Sequence, residues 1–139
     1  MVYPWVKKYI GIPFVSNGRT FNGCDCYGLV RLVLQNEYGI TLPLLSNDYS
    51  DALNVKETAR LFAENLPVLT AGKLQEAQDS FSLQRAVVAV ITENGAAAHI
   101  GIAAGGGYIL HTGKKTGSVC QKASHPAWLN RIQGYYYVS

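Results

Sequence analysis

Long hydrophobic runs are missing from this chain. Its longest unbroken apolar stretch is residues 86–91, against the roughly 20 residues a bilayer-crossing helix needs. A membrane span is therefore excluded, and no membrane partner is expected. Basic blocks are missing too: the 12 Lys and Arg residues are scattered, with no interleaved aromatics, and the formal net charge is only +3. That pattern gives no footprint for nucleic acid, which is not expected as a partner. Charge of either sign is sparse at 15%, while 48% of residues are hydrophobic, which excludes a disordered chain. Cysteine is scarce and odd in number, so three residues cannot all enter a disulfide framework. Cys24 and Cys26 stand one residue apart, too close for an unstrained bridge, so free thiols are expected. The first residues, Met-Val-Tyr-Pro-Trp-Val-Lys-Lys, lack the apolar core of a signal peptide. Export by the usual secretion route is thus not expected.

What is present fits one domain over residues 1–139, with a core large enough to do without staples. Residues 3–14 read as a short helix or extended arm, and the turn-rich residues 15–24 as a loop. Asp25 reads as a helix N-cap, followed by thirteen residues of helical periodicity. Cys26, Val30, Val33 and Leu34 share one stripe, with Leu29 and Leu32 beside it, and Gly39 ends the helix. A second helix is expected over residues 55–65, started by Asn54 with Glu57 in a capping-box-like pair. Residues 66–83 are ambiguous and leave room for a short helix near residues 73–78. The period then changes. Strands are expected at residues 86–92, 98–103, 108–112, 119–121 and 132–138, with turns at Glu93-Asn94-Gly95 and Gly105-Gly106-Gly107. Helices first and an antiparallel sheet afterwards make the fold class α+β.

Chemistry concentrates at a few positions. Cys26 opens the first helix, where the unsatisfied N–H groups and positive dipole end that begin any helix favour a thiolate and an oxyanion. The alternative is a small, buried, inert residue, the usual fate of a free cysteine. His99 and His111 fall on consecutive strands and have the same parity about residue 105. A hairpin folded about Gly105 sets them directly opposite on one face, about 5 Å apart at Cβ; a one-residue slip sends them to opposite faces. Gly101 and Ala103 on that face leave space beside His99, while Ile100 and Ile102 point into the core. A thiol, a histidine base and a group to orient it form a Cys-His-X nucleophilic set. Two other readings stay open: ordinary polar residues on a solvated face, or a zinc site from Cys24, Cys26, His99 and His111, although a CxC pair lacks the usual zinc-knuckle spacing. His125, before Pro126, reads as exposed, and Cys24 and Cys120 as packing or surface residues.

These residues carry a family resemblance. Gly23-Cys24-Asp25-Cys26-Tyr27-Gly28-Leu29-Val30 resembles the Asp-Cys-x-Gly-Leu-Val motif of the NlpC-type cell-wall peptidases, which are papain-like cysteine enzymes. His99-Ile100-Gly101-Ile102 and Gly107-Tyr108-Ile109-Leu110-His111 resemble the strands bearing the family's histidine and third triad member. Within the family, Gly11-Ile12-Pro13-Phe14, the run from Val30 to Pro43 and the C-terminal Trp128 to Tyr136 are most similar to phage tail assembly peptidases. The resemblance implies a papain-like fold, Cys26 as nucleophile, His99 as base and acid, and His111 orienting His99. It implies hydrolysis of an amide in the peptide stem of bacterial peptidoglycan, often next to D-glutamate, with no cofactor and no metal. Phe14, Asp25, Tyr27 and Gly101 are expected on the substrate side, Asp25 acting through the helix cap. Phe14 stands where the family often has Tyr, keeping the ring and losing the hydroxyl; Gln84-Arg85 stands where many members have Gly-Asp. Phage tail proteins are the expected partners. The expected location is a host cytoplasm before assembly, then the virion tail or the cell wall. Two further readings share the fold: a catalytically silent tail component, or an acyltransferase or amide hydrolase acting on something other than cell wall.

Overall fold

The segment after Asp25 folds as its pattern dictates. Helix α1 runs Cys26–Tyr38, with Asp25 as N-cap and Gly39 as C-cap at φ 67°, a left-handed conformation that glycine adopts without steric cost. Its apolar stripe is buried throughout: Leu29, Val30, Val33 and Leu34 are all fully inaccessible. Each such side chain contributes roughly 1.5–3 kcal/mol by leaving water. A computed structural model describes residues 2–42, 70–73, 86–93, 96–126 and 130–138. The helix expected at residues 55–65, the short helix near 73–78 and residues 84–85 lie wholly or almost wholly outside them.

Among the described residues, eight strands accompany α1. Two short ones, β1 (Arg19–Thr20) and β2 (Gly23–Cys24), pair antiparallel just before the helix. The others are β3 (Thr70–Lys73), β4 (Val87–Glu93), β5 (Ala96–Gly105), β6 (Tyr108–Gly113), β7 (Gly117–Lys122) and β8 (Ile132–Val138). They form one sheet in the order β3-β8-β4-β5-β6-β7, and every neighbouring pair is antiparallel. The fold is therefore α+β, a helix packed on an antiparallel sheet. Two expectations need correcting. Residues 15–24 contain a hairpin, and Thr70–Lys73, in the ambiguous stretch, is a strand paired with β8.

Helix α1 packs against β5 and β6. Ile100, Ile102, Ala104 and Leu110 join the helix stripe in one core. Because side chains alternate along a strand, His99, Gly101, Ala103, Ile109 and His111 turn to the other side of the sheet. The N-terminal arm, containing a single 3₁₀ turn (Val6–Tyr9), is strapped to both ends of this unit. Tyr3 N–H donates to Ala104 C=O at 2.7 Å, and Gly11 N–H to Ser118 C=O at 2.9 Å. Ser118, fully buried, accepts from Ile12 N–H at 2.7 Å and donates to Tyr9 C=O.

Candidate active site

The segment leading into Cys26 is fixed by one carboxylate. Asp25 is completely buried, yet three donors reach it. Gly28 N–H donates to Oδ1 at 2.8 Å, capping α1; Asn17 N–H donates to Oδ2 at 2.8 Å; and Arg19 donates from Nη1 to Oδ1 at 3.0 Å. Arg19 also donates to Gly18 C=O at 2.8 Å and lies 5.3 Å from the Tyr27 ring centre. A buried carboxylate is tolerated only when charge-paired and hydrogen-bonded in this way. The result ties the β1–β2 hairpin, the cap and the first turn of α1 into one block. Space is tight: a Cβ on Gly28 would sit 2.0 Å from Gly18 O. On the outer side, Phe14 forms a parallel bridge to Cys24, held by Cys24 N–H to Pro13 C=O at 3.0 Å and Val15 N–H to Cys24 C=O at 3.1 Å.

The two neighbouring cysteines have different surroundings. Cys24 is fully buried; burial first, and then the charge of Asp25 against an opposing effect of Arg19, pushes its thiol up to about 12. The thiol is held protonated near neutral pH, which disfavours it as a nucleophile. Cys26 is 6% exposed at the first helical position. Among the described residues no group of His, Cys, Asp or Glu is arranged for a metal ion, so the set of Cys24, Cys26, His99 and His111 is not assembled as a zinc site. Cys120 is half-buried and packs against the core, and His125 is exposed.

The histidines share a face, as expected, but they are not directly opposite. Strands β5 and β6 pair Ile102 with Leu110 and Ala103 with Ile109, then shift at Gly105, which pairs with Tyr108. Carried one step on, this register sets Gly101 opposite His111, with His99 two residues further along β5. The turn lies at Gly106-Gly107 rather than about Gly105, and with the one-residue bulge before it the pairing ends two positions from that expected; an even shift preserves the face. The rings meet diagonally, centroids 5.5 Å apart and nearly perpendicular at 86°, with His99 Nε2 3.5 Å from His111 Nδ1. The space beside Gly101 is filled: a Cβ there would lie 3.3 Å from His111 Cβ and 3.0 Å from Leu110 O.

Two residues at this face carried no signal in the sequence reading. Gln121 on β7 places Oε1 2.8 Å from His111 Nε2. Arg131 donates from Nε to Thr92 C=O at 3.0 Å, and its charge acts on both imidazoles. Burial, then the charges of His111 and Arg131, draws His99 down to about 3. His111 is lowered chiefly by burial, with Gln121 opposing and Arg131 adding. Both rings are therefore neutral near pH 7.

Of the substrate-side residues, Asp25, Tyr27 and Gly101 are buried. Tyr27 is 3% exposed and Gly101 is covered by β6. Phe14 is half-buried.

Comparisons with known proteins agree with this architecture. The profile of the NlpC/P60 family matches residues 11–136. A 38-residue segment is 53% identical to the gamma-DL-glutamyl hydrolase of Bacillus subtilis (strain 168), spanning 27% of this chain and 9% of that protein. The NlpC/p60 domain of the peptidoglycan hydrolase SagA superposes with a TM-score of 0.57 at 22% identity, over 96% of this chain and 91% of that one. NlpC1 from Trichomonas vaginalis gives a TM-score of 0.63 at 15% identity, over 96% of this chain and 42% of that one. Those two structural likenesses speak for the fold alone. The family profile, extending over nearly the whole sequence, places this chain in the NlpC/P60 family.

Proposed function

We propose that this chain is a cysteine peptidase that hydrolyses an amide in the peptide stem of bacterial peptidoglycan. The observation that carries the reading is the meeting of His99 and His111 at 3.5 Å in an NlpC/P60 chain whose Cys26 opens the helix packed on the same two strands. In the reaction, Cys26 Sγ gives its proton to His99 and attacks the amide carbonyl carbon. His99 returns the proton to the departing amine as the C–N bond breaks, leaving an acyl-thioester. His99 then takes a proton from water, whose oxygen attacks the thioester; the acid product leaves and the thiol is restored. His111 holds the His99 ring in register. The relatives' names support the substrate class, since one is a glutamyl hydrolase and another a peptidoglycan hydrolase. An amide at a D-glutamate residue is the favoured bond. Delivery with a phage tail, after synthesis in a host cytoplasm, is the context proposed for the chain.

The test is digestion of purified peptidoglycan and muropeptides by wild type, Cys26→Ala and His99→Ala, read by mass spectrometry. New peptide termini from wild type, reduced at least about a thousandfold in both variants, are expected. Full hydrolysis by Cys26→Ala would sink the mechanism. Phe14, which lacks the hydroxyl often found in the family, favours one second reading: a tail component that keeps the fold without turnover. That reading expects no products from any of the three proteins on several wall types.

A further inference from the structure

The polar face extends one strand beyond the pair of histidines. His99 on β5, His111 on β6 and Gln121 on β7 form a diagonal line, one residue per strand. The β6–β7 register sets His111 opposite Val119 and Ile109 opposite Gln121, so Gln121 is displaced by two positions from His111. This repeats the offset between His111 and His99. An Oε1 atom can only accept a hydrogen bond. At 2.8 Å from Gln121 Oε1, His111 Nε2 must therefore carry its proton. In neutral His111 the lone pair is then on Nδ1, which faces His99 Nε2 at 3.5 Å. That contact is attractive only if His99 Nε2 is the donor. His99 is left with its lone pair on Nδ1.

We propose that Gln121 is a positioning residue, the terminal acceptor that selects the tautomers of both histidines and so leaves His99 Nδ1 as the basic nitrogen. The catalytic consequence rests on the hydrolase reading above; the tautomer assignment does not. A donor in place of Oε1 reverses the line. It would drive the His111 proton to Nδ1, make His99 Nε2 the acceptor, and put a proton on the nitrogen that must receive one from the thiol. An amide is suited to this post because it remains uncharged, so no permanent negative charge is added beside the imidazoles.

The position is accessible to a clean test. Gln121 is exposed on β7 and borders a shallow recess with Ile91, Ile109 and Ala123, against which a leucine side chain can pack. The experiment records imidazole ¹⁵N shifts at neutral pH for wild type, Gln121→Glu and Gln121→Leu, together with kcat and KM on muropeptides. Wild type and Gln121→Glu, which can only accept, are expected to show Nε2–H tautomers at both histidines. Gln121→Leu is expected to show mixed tautomers, with kcat lower by about 3- to 10-fold, the size of one neutral hydrogen bond, and KM unchanged. Unaltered tautomers in Gln121→Leu would overturn the proposal, as would Nδ1–H tautomers at either histidine in Gln121→Glu. Tautomers that respond in a protein without wall hydrolysis would uphold the positioning role while removing the hydrolase reading.

Discussion

Two regions carry the candidate catalytic residues, and they are built by opposite means. The block around Asp25 is buried and over-determined: one carboxylate meets a helix amide, a loop amide and a guanidinium. Two of those three donors are backbone, so geometry is enforced by the chain itself. The histidine face is an array of side chains on three strands, joined by one short and one long contact of 2.8 and 3.5 Å. Its positions depend on strand register and on contacts between side chains. The difference matches what each end has to do in thiol catalysis. A nucleophile at a helix terminus works when it is held still against backbone dipoles. A base that accepts and releases a proton in each half-reaction works with contacts that adjust to its charge.

The sharpest way to break this comparison is at Asp25. Asp25→Ala leaves the Arg19 guanidinium, whose side chain is only 8% exposed, without the partner of its ion pair, and it uncaps α1. Breaking a buried pair of this kind costs about 3–5 kcal/mol, and the loss is expected in a denaturant melt. A change under about 1 kcal/mol would mean that the loop rearranges freely and the block is not over-determined. No single substitution on the histidine face is expected to match it.

Two glycines give a matched contrast of smaller size. Gly28→Ala drives a methyl group into the Gly18 carbonyl, 2.0 Å from the Cβ position, with backbone on both sides of the contact. Gly101→Ala meets the Ile109 Cγ2 methyl at 2.7 Å and the Leu110 carbonyl oxygen only at 3.0 Å, a less severe approach. Overpacking costs about 1–3 kcal/mol, and Gly28→Ala is expected at the upper end, even after the roughly 1 kcal/mol that alanine regains as a helix former. Gly101→Ala is expected to be milder in stability and worse for chemistry, because it presses on His111. Thermal melts beside muropeptide kinetics would separate the two. The contrast fails if Gly28→Ala proves the milder in stability.

Acidification sharpens the comparison next, since only the histidine face is expected to respond through imidazoles. Both rings have folded pKa values below the ordinary 6.5, so the unfolded chain binds more protons as pH falls. Stability is then complete above about pH 6.5 and declines below it, for His99 down to about pH 3. The slope is at most about 1.4 kcal/mol per pH unit for each histidine. The charges of His111 and Arg131 act on His99, and Gln121 and the charge of Arg131 act on His111. Against the opposing effect of burial, the hydrogen bonds of Lys8 and Tyr9 and the charge of Lys8 hold Glu37 below its ordinary value, so it too contributes stability that is lost in acid. The measurement is therefore the difference between wild type and His99→Gln over pH 4–7. Parallel curves would show that His99 does not titrate as a buried neutral ring.

How much of this was legible differs between the two regions in the same way. The nucleophile end depends on local chemistry, and local chemistry is written in order. An Asp before an apolar stripe and a Gly after it placed α1 at Cys26–Tyr38 with both caps in position. The five later strands were found to within a few residues by their change of period. What could not be read were quantities set by non-local pairing. The turn at Gly106-Gly107 and the one-residue bulge between Ala103 and Gly105 together shift the histidines by two, and three successive glycines do not announce where a register will slip. Gln121 was invisible for the same reason, since its partner is defined across β6 and β7. Arg19 was hidden inside a stretch whose turn residues read as loop, although an Arg six residues before a buried Asp is only meaningful once β1 and β2 pair. The insertion of β8 between β3 and β4 brings together strands some sixty residues apart, which no window of sequence contains.

The smallest effect is expected at Asn17, and it tests why the first region is robust. Asn17 has φ 63°, the one non-glycine residue with positive φ among those described, and its backbone N–H donates to Asp25 Oδ2. The asparagine is tolerated there because its short polar side chain suits the left-handed region. If the Asp25 cradle is a backbone construction, glycine at this position keeps the donor and adopts the same φ without strain. Its extra freedom in the unfolded chain opposes that relief, so Asn17→Gly is expected to change stability by less than about 1 kcal/mol. Asn17→Val keeps the donor too, but places a β-branched side chain in the left-handed region, at a cost of about 1–3 kcal/mol. The order Gly, then Val, then Asp25→Ala in a denaturant series would locate the strength of this block in its amides and one carboxylate. A loss at Asn17→Gly rivalling that at Asp25→Ala would locate it in the asparagine side chain. The nucleophile's support would then be as dependent on side chains as the histidine face.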